Sequence, residues 1–202
     1  MLLEPVLRPV IASLLAVLAV SVAGCDRQSP ATEQANEALT AEAKMPPVAG
    51  NGAAVEGGQV DRSHVGEAAP ELAFVAPDGS QTSLESFRGK PVLLNLWATW
   101  CAPCVAELPT LDALAEREAD QLRVIALSQD FDGKEKVETF FADKGFANLQ
   151  PYRDDEAAFS LSMQTNLPTT ILYDAQGREV WRVLGDMDWT GEAAAELLAE
   201  VE

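Results

Sequence analysis

Apolar and polar positions change period several times along the chain, and each change marks an element. "PVLLNLWAT", residues 91 to 99, is a continuous apolar run of strand length, suited to a central strand covered on both faces. "LRVIALSQD" repeats the pattern and predicts a second buried strand. Between them "APCVAELPTLDALAERE" places Val105, Leu108, Leu111 and Leu114 at helical spacing around Pro109, whose missing N–H and bulk predict a kink near Leu108. "KEKVETFFADKGF" predicts a helix stopped by Gly145, and a short helix follows around Glu156 to Met163. "TTILYD" and "EVWRVLG" predict a hairpin about Gln176-Gly177. "TGEAAAELLAEV" predicts a closing helix capped by Thr190, with Glu192 in its first turn. Upstream, "ELAFVA" and "QTSLESF" read as two short strands about Asp78-Gly79. The alternation implies an α/β domain with a mixed central β-sheet, helices on both faces and an N-terminal β-hairpin extension.

Ahead of Glu67 this patterning fails. Residues 26 to 66 are rich in Ala, Gly, Glu, Gln and Pro and contain no aromatic residue, so too little apolar surface is available to offset the entropy of ordering. A disordered tether is expected there, its ends roughly 35 Å apart. His64, the only histidine, falls inside it as a solvated side chain. Before it, Val10 to Gly24 carries no charge and reads as the apolar region of an export signal, shorter than the roughly 20 apolar residues of a membrane span. Val22-Ala23-Gly24-Cys25 resembles a bacterial lipobox, which implies cleavage before Cys25 and a diacylglycerol anchor on its thiol. Asp26 then resembles a signal for retention in the inner membrane. The expected divisions are a signal peptide over 1–24, a lipid-anchored tether over 25–66 and a folded domain over 67–202. Only Arg8, offset by Glu4, precedes the apolar run, which leaves an uncleaved anchor as the alternative.

Charge narrows the partners. With 202 residues the chain has material for one ordinary core, and 32 Asp and Glu against 14 Lys and Arg give a net charge of -18. Nucleic acid and anionic lipid surfaces, both of which need a basic footprint, are disfavoured. A solvated acidic surface is the simpler reading, and a basic partner the alternative.

The chemistry rests on two thiols, Cys101 and Cys104, two residues apart in "NLWATWCAPC". Structural zinc needs four ligands and this region offers two. Haem attachment needs His after the second cysteine, where Val105 stands. As a staple, so short a loop removes little unfolded-chain entropy. Redox exchange is what remains. With Cys101 at the N-terminus of a helix begun by Ala102, unpaired N–H groups and the helix dipole would stabilise its thiolate. Cys104, one turn on, lies within disulfide reach and can release a mixed disulfide, and Pro103 is tolerated in a first turn.

"WATWCAPC" with "NLPTT" downstream resembles the thioredoxin fold, and specifically the TlpA/ResA-like membrane-tethered thiol-disulfide oxidoreductases, over roughly residues 67 to 202. The resemblance implies a reductase of disulfides in client proteins outside the cytoplasm, with no cofactor beyond the cysteine pair. Clients would be apocytochrome c or copper-centre thiols, and a membrane thiol transporter would donate electrons to a monomer on the periplasmic face of the inner membrane. Pro168 matches the family's cis-proline, which leaves the backbone of Leu167 for an extended client. Trp100 would form an apolar rim beside Cys101, while Trp97 packs inside. Asn95 stands where cytoplasmic thioredoxins carry a buried Asp, so another group must move protons. Glu107, three residues after Cys104 on the same helix face, is the candidate, against the alternative of an exposed helix glutamate. Two other activities are weighed: copper delivery by the thiolates, and donation rather than removal of disulfides. A peroxidase is weaker, since Ala98 fills the place of its Thr or Ser.

Overall fold

The apolar run that ends at Trp97 becomes the middle of the sheet. The computed structural model describes residues 57–201. The expected export signal, Cys25, Asp26 and the tether as far as residue 56 lie outside the described residues. One eight-stranded sheet is built from β1 (Gln59–Asp61), β2 (Ala73–Val75), β3 (Gln81–Ser83), β4 (Val92–Trp97), β5 (Arg123–Ser128), β6 (Tyr152–Arg153), β7 (Thr169–Tyr173) and β8 (Glu179–Leu184). The strands lie in the order β1-β8-β7-β4-β5-β6-β2-β3. The helices are α1 (Ala102–Arg117), α2 (Lys134–Lys144), α3 (Ala158–Ser162) and α4 (Glu192–Leu198).

All six residues of β4 are buried, as a strand covered on both faces requires. It runs parallel to β5 and antiparallel to β7, with Asn95 between Ala126 and Thr170. Alternate residues feed two cores. Leu93 and Trp97 join Leu108 and Leu111 of α1, Val137 of α2 and Leu197 of α4. Leu94 and Leu96 join Phe74, Leu84, Phe159 and Ile171. The mixed sheet with flanking helices is the α/β architecture that the patterning implies, and β2 and β3 form the N-terminal hairpin at its edge. Gly145 ends α2 in the left-handed region at φ 65°, and α1 is a single helix through Pro109.

Three local expectations need correction. Of "QTSLESF" only Gln81–Ser83 is strand; Leu84–Phe87 coils into a short 3-10 helix that buries Leu84. The folded part begins ahead of Glu67: β1, inside the supposed tether, pairs antiparallel with β8 and buries Val60 to 3% exposure. A three-residue strand with one apolar side chain is invisible to composition, yet it gains a full ladder of partners from the edge of β8. His64 is half-buried there, with Nδ1 3.0 Å from Glu67 Oε2. Thr190 does not cap α4. Its hydroxyl donates to Asp188 Oδ1, and the helix starts at Glu192 behind Gly191 with no side-chain cap.

The N-terminal entry packs tightly on the β8–α4 loop. A Cβ on Gly185 (φ +99°) would lie 2.9 Å from the carbonyl oxygen of Gly57. Gly185→Ala is therefore expected to cost roughly 1–3 kcal/mol in denaturant unfolding, and a neutral result would show that this crossing relaxes freely.

Candidate functional site

Strand direction gathers the site at one end of the sheet. β4 ends at Trp97, a turn closed by the Cys101 N–H donating to Ala98 O follows, and α1 begins at Ala102. Because β7 is antiparallel to β4, with Thr169 opposite Leu96, Pro168 enters at the same end. The Leu167–Pro168 peptide is cis, and Pro168 O accepts the Gly185 N–H at 3.0 Å. Leu167 is half-buried beside it. The structure thus brings Cys101, Cys104 and Pro168 to the same end of the sheet.

Cys101 is the N-cap of α1, and its Sγ accepts the Cys104 N–H at 3.4 Å. The two sulfurs are bonded as a disulfide. Cys101 keeps 6% of its surface exposed and Cys104 none, so an incoming group meets Cys101 first. Pro103, in the first turn, removes an N–H that has no intrahelical acceptor. Once reduced, a Cys101 thiolate would face the unpaired N–H groups of that turn. Trp100 is 70% exposed and Trp97 fully buried, which separates the rim residue from the core one.

Glu107 is not an exposed helix glutamate: it is 3% exposed. Its Oε1 accepts from Asn95 Nδ2 at 2.7 Å. Its Oε2 accepts from the Met187 N–H at 3.1 Å and from Trp189 Nε1 at 3.3 Å. Burial pushes its carboxyl up to about 7; these three donors oppose the rise and the charge of Asp186 adds to it. A carboxyl poised near neutrality one helical turn from Cys104 can take a thiol proton and return it. Asn95 suits both states of that carboxyl. Its Nδ2 also donates to Thr170 Oγ1 at 2.9 Å, while its Oδ1 is buried without a partner. Turning the amide would offer Oδ1 to the proton of a neutral Glu107.

Sequence reasoning missed the donors from the β8–α4 loop, Met187 and Trp189, which lie about eighty residues from Glu107. It also missed Asp130. This residue follows β5 by two positions and is 2% exposed, and its carboxylate accepts from the backbone and hydroxyl of Thr99. The signal for it was present: Ser128, Gln129 and Asp130 are polar yet directly continue the apolar run of a predicted buried strand. Among the described residues no group of three or more His, Cys, Asp and Glu could hold a metal ion. Cys101 and Cys104 are the sulfur pair available for chemistry.

Residues 64–198 match the sequence model of the Redoxin family. The chain is similar to thioredoxin-like protein YneN of Bacillus subtilis (strain 168), 35% identical over 115 residues, which span 55% of this chain and 66% of that protein, just under two thirds of its length. It is also similar to thiol-disulfide oxidoreductase ResA of Bacillus anthracis, 29% identical over 133 residues, covering 62% of this chain and 73% of that one. Among solved structures, the exposed lipoprotein thioredoxin Etrx1 of Streptococcus pneumoniae superposes with a TM-score of 0.55 at 23% identity, covering 63% of this chain and 98% of that one, a likeness of fold.

Proposed function

The chain belongs to the Redoxin family, a TlpA/ResA-like protein on the thioredoxin fold, and from that membership and the site geometry we propose that it is a thiol-disulfide oxidoreductase that reduces disulfides in client proteins outside the cytoplasm. The observation that carries this reading is the Cys101–Cys104 disulfide across the first turn of α1, with the more accessible Cys101 at the cap and a sealed carboxyl one turn beyond the fully buried Cys104. The printed names of its relatives, thiol-disulfide oxidoreductase among them, support the reaction class.

The cycle starts from the dithiol. The Cys101 thiolate attacks one sulfur of the client disulfide; a mixed disulfide forms and the client's other sulfur leaves as a thiolate, which takes a proton. Glu107 accepts the proton of Cys104, and the Cys104 thiolate attacks Cys101 Sγ. The second client thiolate is released and the Cys101–Cys104 disulfide closes. Two electrons have passed to the client, so a dithiol donor must restore the pair. We assign that part to a membrane thiol transporter.

The client lies as an extended segment along the Leu167–Pro168 edge, with Trp100 as its apolar rim. Apocytochrome c and the thiols of copper centres are the client classes we favour. The domain acts as a monomer, held by a lipid on Cys25 to the periplasmic face of the inner membrane. Among the described residues no helix is long and apolar enough to cross a membrane. Cys25→Ser in the full chain should move the protein from the membrane to the soluble fraction; retention in the membrane would instead favour an uncleaved anchor.

The activity is tested by mixing the reduced full-length protein with a disulfide-bearing client peptide and following free thiols. Stoichiometric peptide reduction is expected, and no transfer would overturn the reading. Trp100→Ala should raise KM for the peptide about tenfold, the effect of losing an apolar contact of roughly 1.4 kcal/mol, and leave the reduction potential unchanged. An unchanged KM would remove Trp100 from the groove.

A further inference from the structure

Between the end of β4 and the start of α1 the chain makes a four-residue turn that carries the attacking sulfur; Ala98 and Cys101 pack into the core, and the polar ties of the turn are specific. Within it, the Cys101 N–H donates to Ala98 O at 3.1 Å. Across to the β5–α2 loop, the Gln129 N–H donates to Trp97 O at 2.8 Å. The remaining cross-links end on one carboxylate. The Thr99 N–H donates to Asp130 Oδ2 at 2.9 Å and Thr99 Oγ1 donates to Asp130 Oδ1 at 2.7 Å, so the side chain grips residue 99 by both of its donors.

Asp130 is itself held rigidly. Ser128 Oγ donates to its Oδ2 at 2.9 Å, and its own N–H donates to Ser128 Oγ at 3.1 Å. Behind it the loop turns so closely that a Cβ on Gly133 would sit 2.8 Å from Asp130 O. Among the described residues no Lys or Arg is paired with it. Burying a carboxylate with no cation is costly, and a well-packed apolar side chain would hold two loops together at least as well. Fold stability alone therefore does not account for an acid here. What the acid adds is direction: three donors converge on two oxygens in one geometry, which fixes the backbone of Thr99 two residues before Cys101.

We propose that Asp130 is a positioning residue for the attacking thiol, holding through Thr99 the turn from which Cys101 caps α1. The same grip sets the recognition surface, because each clamped residue is followed by an exposed ring: Trp100 after Thr99 and Phe131, 62% exposed, after Asp130. Without the grip the Cys101 sulfur would sample positions off the helix terminus, where its thiolate loses the N–H groups that stabilise it.

The inference rests on Cys101 being the attacking thiol, and the test separates the two claims. Full-length Thr99→Val, which is close in shape but lacks the hydroxyl donor, is compared with Thr99→Ser, which keeps it. The readouts are the rate of Cys101 alkylation by iodoacetamide against pH in the reduced protein, the reduction potential, and the thermal midpoint. Thr99→Val should slow alkylation at pH 7 about fivefold, the rate equivalent of one lost hydrogen bond, move the profile to higher pH and shift the potential, with Thr99→Ser staying close to the parent protein. A Thr99→Val profile and potential identical to the parent, with only a lower thermal midpoint, would make the clamp merely structural and overturn the inference. So would a Thr99→Ser variant as impaired as Thr99→Val. If Cys101 of the parent reacted no faster than an ordinary free thiol at pH 7, the assignment of Cys101 would fail, and the inference with it.

Discussion

Replacing Cys101 by serine should abolish reduction of a client disulfide, by about three orders of magnitude or more, since a hydroxyl at neutral pH is not ionised and its oxygen cannot undergo sulfur exchange. Replacing Cys104 should look different. The Cys101 thiolate would still attack, but nothing would release the mixed disulfide, so a covalent complex with the client should accumulate and be seen by mass spectrometry as a species that dithiothreitol dissolves. The asymmetry follows from exposure: Cys101 presents 6% of its surface and Cys104 none. Equal trapping by the two single variants would mean that the buried sulfur reaches clients, which contradicts the geometry.

Glu107→Gln should have the second large effect, on rate and on stability together. Removing a proton acceptor of this kind should slow resolution of the mixed disulfide roughly 10²-fold near pH 7, with the first attack by Cys101 little changed. Glu107→Gln should also flatten the pH dependence of stability. The folded-state value of about 7 lies above the ordinary glutamate value of 4.5, so between them the native protein binds more protons than the unfolded chain. Glu107 thus favours the fold fully below about pH 4.5, and that advantage is lost as pH rises through 7, amounting to on the order of 3 kcal/mol. Denaturant titrations of the oxidised protein at pH 4.5 and 8 should show the difference, and the glutamine variant should lack it. Asn95 can turn its unpartnered Oδ1 to the new amide, so the variant has a way to remain folded. A parent protein with flat stability over this range would show that Glu107 ionises as an ordinary surface acid.

What could be read before any coordinates depended on how far each signal travels along the chain. The apolar run into Trp97, the Cys101–Cys104 spacing and Gly145 as a stop are local, and each element appears as its few residues dictate. Cis geometry at Pro168 came from the resemblance rather than from spacing, because a proline at the start of a strand is compatible with either isomer. Glu107 was legible as a residue type at a helical interval, but whether it faced water or protein was decided by Met187 and Trp189, far along the chain. β1 escaped notice because its stability comes from the exposed edge of β8, and Thr190 is not the cap of α4 because the helix starts at Glu192 behind Gly191, one residue beyond Thr190, whose hydroxyl donates to Asp188. The Thr99–Asp130 grip is non-local in the same way: its partners are 31 residues apart, and each stands at the polar end of a predicted buried strand with nothing in the sequence to show that the two ends meet.

The direction of electron flow is the claim on which client, donor and compartment all depend, and the reduction potential of the Cys101–Cys104 couple tests it most directly. Equilibrated against glutathione or dithiothreitol buffers, the protein should titrate close to thioredoxin, at about -270 mV, as a reductant recharged from the membrane would. A value near -120 mV, the range of a disulfide donor, would contradict the reductase account and make the protein a source of disulfides instead.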